Sequence, residues 1–401
     1  MSQDRLRKSL KTSQELRDLV KSHYKDVLRA VMAAKPIAWV TAGTPIEPLY
    51  AMGVQPVHPE NAATVTAARR LAKEYIEEAE ALGYSPDCCS YMKTNIATVK
   101  RGELPRPDFL VSTGTICDTH VQWFVTMSRY WKAPIFIFDV PHLVSGDECR
   151  RERYYEYLIN QSYDYIEFIE KQIDSPIDEK KFHEVLAKSD RLAELWLEIY
   201  EYRKKIPCPI GLADTSGDIF PMVILPGLDR GIEFYERLHA EVKQRAETGM
   251  GVVPEERYRL LFDGIPPWYN LSMFNLLEDL GAVSVYEPYT YSWAVRKDLA
   301  NPLGSMAQAL LENSYNFNLE RRTREMVHIA QEYSLDGVIL HNNLSCRPNS
   351  LGMLDLKIEL QNQLNLPTLV LTCDMNDPRA FSETQTMTNL RRFVEVMAMH
   401  H

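Results

Sequence analysis

Two stretches of this chain, 36–145 and 256–373, alternate short apolar runs with helical patterns. That alternation restricts the fold to βαβ units on parallel sheets. The strands expected in the first stretch are Ile37–Val40, Val54–Val57, Phe109–Ser112 and Ile135–Asp139. Those expected in the second are Tyr258–Phe262, Ala282–Tyr286, Gly337–Leu340 and Thr368–Leu371. One long helix is predicted over 62–82, with Gly83 as its stop. Residues 1–34 carry apolar positions at helical spacing, and Pro36 ends that helix. Residues 150–205, dense in Tyr, Glu and Lys, read as a helix pair with a buried stripe through Leu158, Tyr165, Phe182 and Trp196. The expected architecture is therefore α/β: two Rossmann-like or flavodoxin-like domains with parallel sheets, joined by a helical segment and preceded by an N-terminal helix. The boundaries are 1–35, 36–149, 150–255 and 256–401. Neither GxGxxG nor GxxxxGK[ST] occurs, so the dinucleotide fingerprint and the P-loop are both absent.

The formal net charge is −10, and no Lys/Arg-rich run stands out, which argues against a nucleic-acid surface. An anionic ligand is still possible, because helix amino ends bind anions locally. The amino terminus has no apolar core of the kind a secretory signal needs, and no run is long enough to cross a bilayer. A soluble, cytoplasmic protein is expected. The seven cysteines are Cys88, Cys89, Cys117, Cys149, Cys208, Cys346 and Cys373. An odd count, wide spacing and a reducing compartment argue against a disulfide framework, and there is no CxxC. Packing, nucleophilic chemistry and metal ligation are the uses that remain.

Phe109–Phe124 (FLVSTGTICDTHVQWF) is the most informative stretch. A buried strand turns through Thr113-Gly114-Thr115 and delivers Cys117. Asp118 and Thr119 are then expected to cap a helix whose apolar face starts at Val121 and Phe124. The carboxyl end of a strand in an open α/β sheet is where ligands bind, and the positive helix end favours a thiolate. A free cysteine there also serves as a small packing residue. Cys89, after a helix stop in GYSPDCCSY, and Cys346, in HNNLSCRPNS, are expected in similar loops. The three can converge on one inter-domain cleft. Three thiolates with an open position suit an iron–sulfur cluster that binds substrate, although the usual ferredoxin spacings are missing.

The stretches PLYAMGVQPVHPENAA, CSYMKTNIA, DFLVSTGTICD, APIFIFDVP, DGVILHNNLSCRPNS and DMNDPRAFSETQ carry a resemblance that spans nearly the whole chain. In that order, they are similar to the family of 2-hydroxyacyl-CoA dehydratases and benzoyl-CoA reductases. The resemblance implies a 4Fe–4S cluster held between the domains by Cys89, Cys117 and Cys346, with Cys88 the competitor for Cys89. Cys149, Cys208 and Cys373 match no ligand position and are assigned to packing. It also implies three partners: a homologous second cluster-bearing subunit, an ATP-hydrolysing iron–sulfur activator that injects a low-potential electron, and an acyl-CoA substrate. In such chemistry one electron enters the thioester to give a ketyl-like radical anion, and the iron without a protein ligand polarises the carbonyl.

Glu60, in PEN, matches an acidic position that the family places near its cluster; it either moves protons or merely complements a helix dipole. His341 is a candidate donor to substrate or cluster, or a satisfied loop histidine. Trp39, Trp268 and Tyr269 are candidate pocket walls, or core residues. Arg347 is a candidate for tuning cluster charge or contacting a CoA phosphate, or a surface ion-pair partner. The family's dehydratases often place a hydroxyl residue after the Trp of the first strand. Here Val40 stands there, with Thr41 next. Together with IPPWYN at 265–270, this favours ATP-coupled reduction of benzoyl-CoA to a cyclic dienoyl-CoA. The alternatives are a 2-hydroxyacyl-CoA dehydratase subunit and a non-catalytic cluster-carrying electron-transfer subunit.

Overall fold

The structure, a computed structural model, describes residues 6–144 and 150–400; Cys149 lies outside them. Among the described residues, eight strands form two four-stranded sheets, all pairs parallel. The first contains β1 (Ile37–Val40), β2 (Gln55–Val57), β3 (Phe109–Thr113) and β4 (Ile135–Phe138) in the order β2-β1-β3-β4. The second contains β5 (Tyr258–Asp263), β6 (Ala282–Tyr286), β7 (Gly337–Asn343) and β8 (Thr368–Cys373) in the order β6-β5-β7-β8. The two orders are the same, so each sheet has its strand-order reversal between its first and third strands. The expected α/β class is borne out.

The strands read as continuous apolar runs because both faces of each sheet are covered. Ala38, Val40, Phe109 and Val111 pack into one core, while the alternate residues Ile37, Trp39 and Leu110 pack into the core on the opposite face. In the second sheet, Leu261, Val283 and Val338 face one core, and Leu260, Phe262 and Ile339 face the other. Long helices Arg151–Ile173 and Glu179–Tyr202 follow the first sheet, as the apolar stripe predicted. Helix Pro302–Leu311 comes from the later half of the chain but packs on the first sheet. Met306, Ala307, Leu310 and Leu311 share a core with Val40, Leu158 and Tyr165. No helix among the described residues is long and apolar enough to cross a membrane.

Three local expectations are corrected. The helix predicted over 62–82 is two helices, Pro59–Ala68 and Ala72–Ala81, separated by Arg70 in the left-handed region at φ 62°. Neither Gly nor Pro marks that break, so it is imposed by tertiary packing. A helix that sequence reasoning missed, Ser90–Lys100, is buried almost throughout. Met92, Ile96 and Val99 pack into the core with Trp39 and Leu110, and polar side chains are buried beside them; Lys93 Nζ donates to Glu80 at 2.8 Å and to the Pro86 carbonyl at 2.6 Å. Lastly, Asp118 and Thr119 lie inside helix Asp118–Trp131 rather than capping it. The N-cap is Cys117, and the buried face runs through His120, Trp123, Phe124 and Met127.

Helix Lys11–Met32 carries His23, which is buried edge-on against Tyr24 and Phe220. Burial first, then Arg230, lowers its pKa from 6.5 to about 4, against a smaller opposing pull from Asp26. The folded chain thus binds this proton less readily than the unfolded chain. The stability His23 contributes is present above pH 6.5 and is lost as the pH falls through 4. Relative to His23→Gln, the wild-type melting temperature should therefore drop between pH 7 and 4. The gap corresponds to at most about 3 kcal/mol. Parallel melting curves across that range would refute the assignment.

Candidate functional site: a three-cysteine cavity between the sheets

A cavity of about 320 Å³ lies between the two sheets and is lined by Cys89, Cys117 and Cys346. Each cysteine is the N-cap residue of the helical segment that follows it: Ser90–Lys100, Asp118–Trp131 and Arg347–Ser350. Cys117 directly follows β3 and its turn, as expected. Cys89 instead enters from the helix that sequence reasoning missed. Cys88 does not line the cavity and packs towards the core below it.

The two halves of the chain are clasped beside the sulfurs. Ser345 Oγ accepts the Ser90 N–H at 3.1 Å and lies 3.1 Å from Ser90 Oγ, which places Cys89 and Cys346 side by side. Asp374, just after β8, accepts the Ser345 N–H at 3.2 Å and, through its other oxygen, the N–H groups of Asn376 and Asp377. Asn376 Nδ2 then reaches back to Thr94 Oγ1 at 2.9 Å. Ala63, Ala67 and Tyr91 from the first half meet Ile265, Trp268 and Met375 from the second in a small apolar core against Cys89 and Cys346.

Burial dominates the chemistry of the free thiols. It pushes Cys89 well up, Cys117 up to about 11 and Cys346 up to about 12. The helix end at Cys117 was expected to favour a thiolate, but desolvation outweighs it. The backbone N–H of the residue three positions on pulls each sulfur the other way: Met92, His120 and Asn349 in turn. The sulfurs also disfavour one another as anions, Cys346 and Cys117 acting on Cys89, and Cys117 on Cys346. Three soft donors repelling one another as anions across a shared space are a donor set that a cationic group would satisfy, because a bound cation inverts this balance. Among the described residues, no group of three or more His, Cys, Asp or Glu side chains closes around a single ion.

Glu60 lines the same cavity. It stands second in helix Pro59–Ala68 and joins the loop after β1 to helix Asp118–Trp131. Its Oε2 accepts the Ala42 N–H after β1 at 2.5 Å, and its Oε1 lies 2.8 Å from His120 Nε2. His120 was not singled out from sequence, because it falls within an amphipathic helix face. Its Nδ1 has no partner among the described residues. Trp268 lines the cavity, with its indole N–H bonded to the Tyr91 hydroxyl.

Four other candidates are placed elsewhere. Trp39 is fully buried in the core beneath β1, and its indole N–H donates to the Pro105 carbonyl at 3.0 Å. Tyr269 turns away from the cavity and packs edge-on against Phe381. His341 is not in a loop, because β7 continues through it to Asn343. Its Nδ1 lies 2.6 Å from the Ile265 carbonyl and its Nε2 3.2 Å from the Cys373 carbonyl, so both nitrogens are engaged away from the cavity. Arg347 is exposed and does not line the cavity. Val40 is core, and the Thr41 hydroxyl is taken by Thr44 and the Thr113 N–H, each at 3.2 Å. Neither residue after Trp39 lines the cavity.

Two parallel α/β sheets thus bring three cysteines and a carboxylate–histidine pair onto one cavity. Residues 41–397 match the family described as 2-hydroxyglutaryl-CoA dehydratase, D-component; the chain belongs to that family. It is 29% identical over 394 residues to the (R)-2-hydroxyisocaproyl-CoA dehydratase alpha subunit of Clostridioides difficile, covering 95% of each chain. It is 28% identical over 401 residues to the (R)-phenyllactyl-CoA dehydratase alpha subunit of Clostridium sporogenes, covering 97% of this chain and 96% of that one. A benzoyl-CoA reductase subunit of Thauera aromatica is 28% identical over 363 residues, covering 84% of this chain and 83% of that one. The resemblance read from the sequence is borne out: the chain is an enzyme of this family.

Proposed function

We propose that this chain is the catalytic subunit of a 2-hydroxyacyl-CoA dehydratase. In this reading it holds a 4Fe–4S cluster on Cys89, Cys117 and Cys346. It works with a second, homologous subunit and with a separate ATP-hydrolysing activator that delivers the electron. The observation that carries the reading is the sharing of one largely apolar cavity by three thiols and the Glu60–His120 pair. Losing water from a 2-hydroxyacyl thioester requires hydroxide to leave C2 and a proton to leave C3, and the carbonyl's ordinary polarity assists neither. When bound, the cluster would supply a Lewis-acidic iron and a route for the single electron that reverses that polarity.

The chain's own residues do the rest. Leu16, Val20, Ile116, Phe220 and Trp268 wall the cavity and exclude water from a reactive radical. Glu60, held by the Ala42 N–H, takes the proton, with His120 on its other oxygen to pass it on. Three cysteines on the cavity, rather than four protein ligands, favour a catalyst over an electron carrier. The benzoyl-CoA reductase reading rests on Val40 and Thr41, which do not line the cavity, together with IPPWYN at 265–270, whose Trp268 does. The relatives covered over at least 95% of both chains are dehydratase subunits.

The test is turnover without oxygen by the complex with its partner subunit, activator, ATP and reductant. (R)-2-hydroxyisocaproyl-CoA or (R)-phenyllactyl-CoA should lose water. Consumption of benzoyl-CoA instead would replace this reading with the reductase. Glu60→Gln should lower kcat by about 10²–10⁴ at wild-type iron content. An unchanged kcat would leave Glu60 only its bracing role.

A further inference from the structure

A small chamber, of about 80 Å³, lies beside the cysteine cavity, and His58, Val223 and Trp293 line both spaces. The two differ in chemistry. The cysteine cavity is largely apolar, whereas the chamber encloses an ion pair. Glu47, buried at the start of helix Glu47–Ala51, accepts from Lys297 Nζ at 3.0 Å and from Ser189 Oγ at 2.8 Å. Burial alone would raise the Glu47 pKa, but Lys297 and Ser189 outweigh it and hold the group below its ordinary range, as a carboxylate. An ammonium group has three N–H donors, and Glu47 is the one side-chain partner of Lys297 among the described residues. Thr44, Ser292 and Asn313 add further polar groups to the wall. At the shared boundary, His58 Nδ1 and Trp293 Nε1 have no hydrogen-bond partner among the described residues. Buried polar groups of this kind are satisfied by ordered water. A water occupies about 30 Å³, so the chamber has room for about two, and it falls well short of the roughly 300 Å³ at which ligand pockets begin. Val295, Lys297 and Ala309 on its wall are only half-buried.

We propose that this chamber takes up the water released by dehydration, drawing it past His58 and Trp293 and passing it outward along Lys297. The proposal rests on the dehydratase reading above, and it goes further by giving the leaving group a route. In that reaction hydroxide leaves C2 with the C–O electron pair and joins the proton lost from C3, which yields one water per turnover. Left in the apolar cavity, that water would find few partners and would stand ready to add back. The test is isotope exchange at chemical equilibrium, without oxygen, by the complex with its partner subunit, activator, ATP and reductant. Two rates are followed together: entry of labelled oxygen from water into the 2-hydroxyl group, and interchange of acyl-labelled substrate and product. Ala309→Leu fills the chamber, and Glu47→Gln/Lys297→Met removes its charges together. In each, the oxygen rate should fall relative to the thioester rate by roughly tenfold, the worth of one hydrogen bond to a charged group, with melting temperature and iron content as in wild type. An unchanged ratio in either folded variant overturns the proposal. A crystal structure of the wild-type chain is a check that needs no variant: ordered water is expected on Lys297 Nζ, and a dry chamber overturns the proposal. A wild-type complex that exchanges no oxygen but consumes benzoyl-CoA overturns the dehydratase reading, and the role of the chamber with it.

Discussion

Cys117→Ala should remove the iron and sulfide from the anaerobically purified chain and lower turnover by more than a thousandfold, while the fold survives. The cysteine is an N-cap, but its side chain makes no hydrogen bond to the helix end. Its loss therefore takes little from a helix held by Trp123, Phe124 and Met127. The thiol is already disfavoured as an anion by burial and, secondarily, by Glu60. Under the proposed function, the cluster that the sulfur would bind overcomes that disadvantage. Two thiols, Cys89 and Cys346, would remain, and two soft ligands hold a cluster poorly. The measurements are iron and acid-labile sulfide per chain together with a circular dichroism melt. Wild-type iron content in a variant with an unchanged melt would refute the ligand assignment. The same experiment on Cys88→Ala should leave both quantities where they were.

The largest effect on stability is expected at Arg203→Met. Arg203 follows helix Glu179–Tyr202, and its guanidinium is fully buried against Glu287, which follows β6. Nη1 donates to Oε2 at 2.6 Å and Nη2 to Oε1 at 2.8 Å, with a further bond from Nη2 to the Ser284 carbonyl. Ser284 and Thr215 also donate to the same carboxylate. Truncating the arginine leaves a desolvated carboxylate without its counter-charge, a loss of about 3–5 kcal/mol. The urea midpoint of the variant should fall accordingly. Arg203→Met/Glu287→Leu should recover much of it, since removing both charges lifts the desolvation penalty. If the double variant is as unstable as the single one, the ion pair is not the cause.

Much of the fold was legible because burial on both faces makes parallel strands conspicuous. IAWV, FLVS and GVIL announce themselves in that way. Strand ends were harder to read. HNN after GVIL looks like a loop, yet His341 pairs within β7 and satisfies its ring inside the protein. Helix Ser90–Lys100 escaped notice because it buries Lys93, Thr94 and Thr98 as well as its apolar residues; hydrogen bonds make these three tolerable, and periodicity cannot reveal them. At the site, the three cysteines were recognisable as a set, and Glu60 by its place in PEN. His120 was not, because nothing local distinguishes a histidine facing a carboxylate from one filling an amphipathic face. Trp39 misled for the opposite reason: it is large, aromatic and near the site in sequence, and it serves the core.

The return of helix Pro302–Leu311 into the core of the first sheet bears on how a large substrate gets in. Two lobes connected by a flexible link can open like a shell around their ligand. Here the later half of the chain reaches across and supplies apolar side chains that the earlier half needs. Parting the lobes would mean pulling Met306 and Leu310 out of that interior and breaking the serine clasp beside the cysteines. Under the proposed function, a substrate would therefore enter with the halves kept together.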